Sequence, residues 1–241
     1  MNYELVNVNH HNNGIAIFRC FDTSIKYYLK VAVSEIGNTF IKNELNGYEW
    51  YYSRNGWVNN ISFDNDYYCK IKIPYYNGWN KKSESGIKGN EGIFESVIDL
   101  YKNLWKMEEG RIAIHGDLVI SNIIINRGVI YLIDWEHFHK SEAEYWGYDI
   151  IHMLFIAIYY NRGHLRSGQK EFLKNSYKSL CDKVPLSSKF LEKPFQNSQQ
   201  YLLENAKLFS PHQNLHNKFI LLQIKRSDLE LLDLMITKNS I

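Results

Sequence analysis

Ile114-His115-Gly116-Asp117-Leu118-Val119-Ile120-Ser121-Asn122-Ile123-Ile124-Ile125, followed after a short turn by Tyr131-Leu132-Ile133-Asp134-Trp135-Glu136, decides how this chain is read. The apolar runs on either side of Asn126-Arg127-Gly128 predict two short strands, residues 122–125 and 129–133, joined by a tight turn. Asp117 and Asn122 stand at the two ends of a loop that leads into the first strand, and Asp134 ends the second. A hairpin brings such positions to one strand edge, so a carboxylate, an amide oxygen and a second carboxylate are expected to converge. Hard oxygens of this kind suit Mg²⁺, which takes a few protein oxygens together with phosphate oxygens. One carboxylate then remains to receive a proton.

Upstream of this segment the pattern is that of a sheet. Residues 3–8, 15–21 and 25–33 are short runs rich in apolar, aromatic and β-branched side chains, separated by turn clusters at 9–14 and 22–24. They predict a three-stranded antiparallel meander. Phe40, Leu45, Tyr48 and Tyr52 fall at helical spacing and predict a helix over 39–53, ended by Asn55-Gly56. Residues 59–73 alternate again and read as two more strands. The polar, glycine-rich stretch 76–92 is the expected linker between an N-terminal lobe, 1–75, and a C-terminal lobe, 93–241. In the second lobe, apolar positions between 93 and 105 predict an amphipathic helix over 93–107. Helical patterns recur over 150–160, 169–181, 199–208 and 216–236. The fold class is therefore α+β: an antiparallel five-stranded sheet with one helix, then a mostly helical lobe.

Taken together, His115-Gly116-Asp117, Asn122 and Ile133-Asp134-Trp135-Glu136 resemble the catalytic core of the protein-kinase-like superfamily. There an Asp precedes a metal-binding Asn by five positions, and a second metal-binding Asp follows a hairpin. The glycine after the histidine and the Asp-Trp-Glu ending look like the aminoglycoside phosphotransferase and choline kinase branch, which phosphorylates small molecules. The resemblance is sharp over residues 113–136 and extends more loosely, through strand order, over 1–160.

What the resemblance implies is a two-lobed protein-kinase-like fold and a role for each matching residue. Asp117 would position and deprotonate an acceptor hydroxyl, while Asn122 and Asp134 would hold Mg²⁺ on nucleotide phosphates. His115 would brace the loop. Asp149, in Gly147-Tyr148-Asp149-Ile150, would cap the following helix and hydrogen-bond the catalytic loop. The same template asks for a lysine on the third strand and a helical glutamate. Lys30, which shares a strand face with Tyr28, is the expected phosphate-gripping lysine, with Glu44 as its partner; Lys26 and Glu49 are the alternatives. The 9–14 loop carries no G-x-G-x-x-G pattern, and Tyr28 is a bulky ring where many kinases keep a small residue over adenine.

Composition sets outer bounds. The chain has 241 residues, 45% of them apolar and 22% charged, the make-up of a globular protein with a real core. A formal charge of +2 gives no reason to expect a nucleic-acid partner. The apolar run at 150–158 is too short to span a bilayer. Met1-Asn2-Tyr3-Glu4 has neither the basic start nor the apolar stretch of a signal peptide, so a cytoplasmic location is expected. Cys20, Cys69 and Cys181, odd in number and far apart, read as free thiols. Glu136, His137, His139 and His152 lack the H-E-x-x-H spacing, so a zinc site is not expected.

These readings predict an ATP- or GTP-dependent, Mg²⁺-requiring phosphotransferase acting on a hydroxyl of a small molecule or glycan. Residues 1–150 carry 15 Lys and Arg against 19 Asp and Glu; residues 151–241, where this branch holds its acceptor, carry 13 against 7. A neutral or anionic acceptor, such as a sugar or a glycan or glycolipid intermediate, fits that balance better than a polycationic antibiotic. The alternatives are a nucleotide-binding pseudokinase or scaffold, and a kinase of the aminoglycoside or choline type with a cationic acceptor.

Overall fold

The computed structural model describes residues 2–9, 14–21, 26–57, 60–76, 90–160 and 167–182. The helices expected over 199–208 and 216–236, and most of the expected linker, lie outside them. In chain order the elements are β1 (Asn2–Asn9), β2 (Ile15–Phe21), β3 (Lys26–Ala32), α1 (Glu35–Asn55), β4 (Ser62–Asn65), β5 (Cys69–Pro74) and α2 (Glu91–Leu104). They continue with β6 (Arg111–Ile114), β7 (Ile123–Asn126), β8 (Val129–Leu132), β9 (His139–Glu142), α3 (Tyr148–Tyr160) and α4 (Ser167–Cys181). The chain divides into two units, Met1–Trp79 with Ile124–His139, and Asn80–Ile123 with Lys140–Ile241.

In the first unit, five antiparallel strands run in the order β1-β2-β3-β5-β4, the sheet that the alternating patterns predict. Register puts Ile17, Lys30 and Ile71 side by side, and Arg19, Tyr28 and Ile73 in the next row. Because side chains alternate across a strand, these rows share one face. That face also carries Ile15, Ala32 and Cys69, all buried, and α1 packs on β3 and β5. Cys20 and Cys69 are buried free thiols.

Helix α1 begins four residues before the apolar spacing suggests. Ser34, in extended conformation, accepts from Gly37 N at 3.2 Å and caps the helix, an N-cap that the weak helix formers behind it obscure. The helix ends at the expected Asn55-Gly56, where Gly56 adopts φ 65° and returns its N–H to the last turn. Its buried stripe includes Phe40, Ile41, Glu44, Gly47, Tyr48 and Tyr51. Gly47 matters sterically: a Cβ there would lie 2.5 Å from Cβ of Trp135, so the helix and the segment after β8 touch backbone to side chain. Tyr51 adds a hydrogen bond from its hydroxyl to Ile130 O, 2.9 Å. Trp135 is fully buried among the rings of Trp50, Tyr51 and Phe138, and its indole N–H donates to Leu132 O at 3.0 Å.

Among its described residues the second unit is mostly helical. Helix α2 stops at Leu104 instead of running to 107, because Trp105 leaves helical geometry and lays its ring on Tyr101, centroids 4.6 Å apart. Strands β6 and β9 pair, a contact that the sequence reading did not anticipate. Arg111–Ile114 is too short for a period, and its partner His139–Glu142 is polar throughout. Among the described residues, no helix is long and apolar enough to cross a membrane.

Candidate functional site

The first unit brings Lys30, Glu44 and Asp134 together. Strand β3 presents Lys30 on the helix-facing side of the sheet, and its Nζ lies 2.8 Å from Glu44 Oε1 and 2.5 Å from Asp134 Oδ1. Lys30 and Glu44 are 7% and 0% exposed, so this is a buried cation between two carboxylates. Lys26, the alternative lysine, is exposed and sits over the ring of Tyr75; Glu49, the alternative glutamate, is exposed. Asp134 has φ 66°, a left-handed conformation that Asp tolerates better than most residues. The packing of its neighbour Trp135 holds it there.

The electrostatics follow from burial and charge. Desolvation opposes the charge on Lys30, but Asp134, Glu44 and Glu136 outweigh it and hold the ammonium above the ordinary lysine range. Glu44 moves the other way for a carboxylate: burial pushes it up to about 7, and the pull of Lys30 only partly offsets that. With both carboxylates ionised the trio carries one negative charge in excess, and a proton on Glu44 brings it to neutral. Such a trio is an expensive way to fill a core, because apolar residues of similar volume would stabilise the fold at least as well.

The second unit holds the other expected residues around the loop after β6. Asp149 lies inside the first turn of α3, where Ile151 N donates to Gly147 O, and not at the cap position expected of it. Its two carboxylate oxygens accept from the backbone N–H groups of His115, at 2.9 Å, and Gly116, at 3.0 Å, hydrogen bonds to the loop of the kind expected of it. Burial pushes Asp149 up to about 7 against the opposing effect of those two donors. His115 is fully buried, and its Nδ1 accepts from Asp117 N at 3.4 Å. The side-chain nitrogen of Asn122 donates to Asp117 O at 2.8 Å and to Asp117 Oδ2 at 3.2 Å. Half-buried Asp117 is thereby held at both its backbone and its carboxylate.

Sequence reasoning missed the aromatic buttress beneath this loop. The Tyr101 hydroxyl accepts from Gly147 N at 3.0 Å, and the Trp146 indole donates to Trp105 O at 2.8 Å. The i, i+4 spacing of Tyr101 and Trp105 was the available signal, although a motif search passes over it. No three His, Cys, Asp or Glu side chains among the described residues converge as a metal site by themselves. His137 instead lies 3.4 Å from Glu136 and against the ring of Phe40.

No family model matches the sequence, and no curated protein matches it either. Solved structures do. A choline/ethanolamine kinase family protein from Mesorhizobium loti matches over 98% of this chain and 92% of its own, with TM-score 0.50 and 12% identity. Amicoumacin kinase, in complex with AMP-PNP and Ca²⁺, matches over 98% and 87%, with TM-score 0.47 and 11% identity. An aminoglycoside phosphotransferase matches over 100% and 94%, with TM-score 0.47 and 9% identity. At 12% identity the first of these likenesses speaks for the fold alone: the chain has an α+β, protein-kinase-like fold, shared with a protein of the choline/ethanolamine kinase family.

Proposed function

We propose that this chain is an ATP- or GTP-dependent phosphotransferase that moves the γ-phosphate to a hydroxyl of a small molecule or glycan. The observation that carries this reading is the buried Lys30 ammonium held by Glu44 and Asp134, a costly arrangement whose use is to present a fixed positive charge to phosphate oxygens. Asp117 orients the acceptor hydroxyl and takes its proton as the oxygen attacks phosphorus. His115 and Asp149 are positioning residues that hold the loop. Positioning and charge neutralisation supply most of the rate enhancement.

The donor set fits Mg²⁺. Asn122 commits its amide nitrogen to Asp117, and its carbonyl oxygen accepts no hydrogen bond among the described residues. Asp134 carries a carboxylate that is 38% exposed. Both are hard oxygen groups, too few for a dedicated cage and suited to a cation that also takes phosphate oxygens. Asn122 and Asp134 are the proposed ligands, and the ion would neutralise phosphate charge when bound.

The acceptor is proposed to be neutral or anionic, on the basic balance of residues 151–241. One observation favours a second reading, a nucleotide-binding scaffold: Tyr28 and Tyr75 bring their rings together at 5.7 Å on the face of the sheet that carries Lys30. Transfer of labelled phosphate from Mg-ATP to a panel of sugars, amino alcohols and glycolipid headgroups decides between the two. Asp117→Asn is expected to abolish transfer and keep Mg-ATP binding, whereas Asp134→Asn weakens metal-dependent nucleotide binding itself. Turnover by Asp117→Asn near that of wild type would overturn the assignment of the base. Tight Mg-ATP binding with no transfer to any hydroxyl favours the scaffold.

A further inference from the structure

Helices α2 and α4 lie side by side in the second unit and run in the same direction. Phe94 meets Phe172 toward their N-terminal ends, centroids 5.9 Å apart, and Lys102 meets Ser179 toward their C-terminal ends. The groove between them encloses about 370 Å³. Its walls are two helical stripes, Glu95, Ile98 and Asp99 from α2, and Phe172, Asn175, Ser176 and Ser179 from α4.

An ammonium group is already seated at one end. Lys102 Nζ lies 2.9 Å from Asp99 Oδ1 and donates to Ser179 Oγ at 2.9 Å. A carboxylate from α2 and a hydroxyl from α4 thus hold a cation that the chain itself supplies. One turn earlier the same pair recurs: Glu95 is four residues before Asp99, and Ser176 three before Ser179. The α2 residue one turn before Lys102, however, is Ile98, which brings no charge.

Ser176 carries the second observation. It is 5% exposed, and its Oγ has no hydrogen-bond partner among the described residues. A helical serine ordinarily donates to the carbonyl four residues back, as Ser96 does to Gly92 O at 2.7 Å. Ser176 forgoes that bond, and a buried hydroxyl left unpaired is unfavourable. Exposed Glu95 makes no ion pair among the described residues.

We propose that the Glu95–Ser176 end of this groove binds the ammonium group of a small aliphatic amine, the second cation of a repeat whose first is Lys102. Ile98 and the Phe172 ring form the apolar wall for its methylenes. No lining residue belongs to the loop at 114–122 or is Asp149, so the site is separate from the proposed phosphotransfer residues.

Isothermal titration of the full chain with 1,4-diaminobutane, with glycerol as the uncharged control, tests this. The expected result is one saturable diamine site and no glycerol binding. Glu95→Gln weakens the diamine about tenfold or more and Ser176→Ala several-fold, while Asp117→Asn leaves it unchanged. Glu95 is exposed, so that variant keeps the wild-type circular dichroism. Three results would each overturn the proposal: no saturable diamine binding below about 10 mM, binding by Glu95→Gln as tight as wild type, or equal binding of glycerol. Loss of the diamine in Asp117→Asn also overturns it, by placing the amine at the catalytic loop.

Discussion

Gly47→Ala sets two principles against each other, and the structure decides the sign. Helix propensity alone makes alanine the better residue inside α1 by about 1 kcal/mol. The added Cβ, however, would lie 2.5 Å from Cβ, 2.8 Å from Cγ and 2.9 Å from Cδ2 of Trp135. Carbon atoms rest about 3.5–4.0 Å apart, so one partner must retreat by about 1 Å. Trp135 has nowhere to go: it is fully buried, ringed by Trp50, Tyr51 and Phe138, and hydrogen-bonded through its indole. Overpacking of this kind costs about 1–3 kcal/mol, with three simultaneous contacts pointing to the upper end. After the propensity gain, a net loss of about 1–2 kcal/mol is expected.

The retreat also reaches the charged trio, because Glu44 is one turn before Gly47 and Asp134 adjoins Trp135. Urea unfolding followed by circular dichroism measures the first effect, and titration with Mg-ATP measures the second. Gly47→Ala is expected to lower both stability and nucleotide affinity. A variant about 1 kcal/mol more stable than wild type, with unchanged affinity, would refute the packing argument.

Further outcomes follow from the buried charges. Lys30→Met strands fully buried Glu44 and is expected to cost about 3–5 kcal/mol, whereas Lys30→Met with Glu44→Leu recovers most of that loss in urea unfolding without restoring phosphotransfer. A double variant no more stable than the single would show that the trio does not act as an ion pair. Asp149 titrates at about 7 when folded against an ordinary 3.8, so the folded protein holds an extra proton between those values. Stability from this group is full below the lower value and is lost as pH rises to the higher one. Asp149→Asn should therefore flatten the stability profile over that window, and a profile as steep as wild type contradicts the assignment. Tyr101→Phe removes the acceptor of Gly147 N and should cost about 1–3 kcal/mol, measured by the same unfolding; a loss within error would mean that the N–H finds another partner.

Legibility tracked the range of the signal. Strands β1 to β3 could be read because each has its own run of apolar and β-branched residues between turn clusters, whereas β4, Ser62–Asn65, and β5 were read only from the alternation over 59–73. The loop from His115 to Asn122 and the hairpin to Asp134 could be read because their chemistry is compressed into 20 consecutive residues. Strands β6 and β9 could not: neither has a period, and they find each other across 24 intervening residues. The start of α1 was hidden because Ser34 acts through one hydrogen bond to a glycine, which a spacing argument scores as a turn. Asp149 was expected both to cap its helix and to bond the loop; both of its oxygens go to the loop, more than 30 residues away, and none is left for the cap. Hydrogen bonds of that reach leave no periodic trace in the sequence.

Gly14 and Gly37 join the first hairpin to the entry of α1 without any side chain between them. Gly14 O accepts from Val33 N at 2.7 Å, and a Cβ on Gly37 would overlap that same carbonyl oxygen. A Cβ on Gly14 would overlap the Ser34 hydroxyl that caps the helix. With backbone against backbone, neither element can slide past the other. Glu44 stands seven residues beyond Gly37, about 10 Å along the same rod. The hairpin and the counter-charge of Lys30 therefore share one mechanical degree of freedom, and whatever pins the hairpin also sets the position of Glu44.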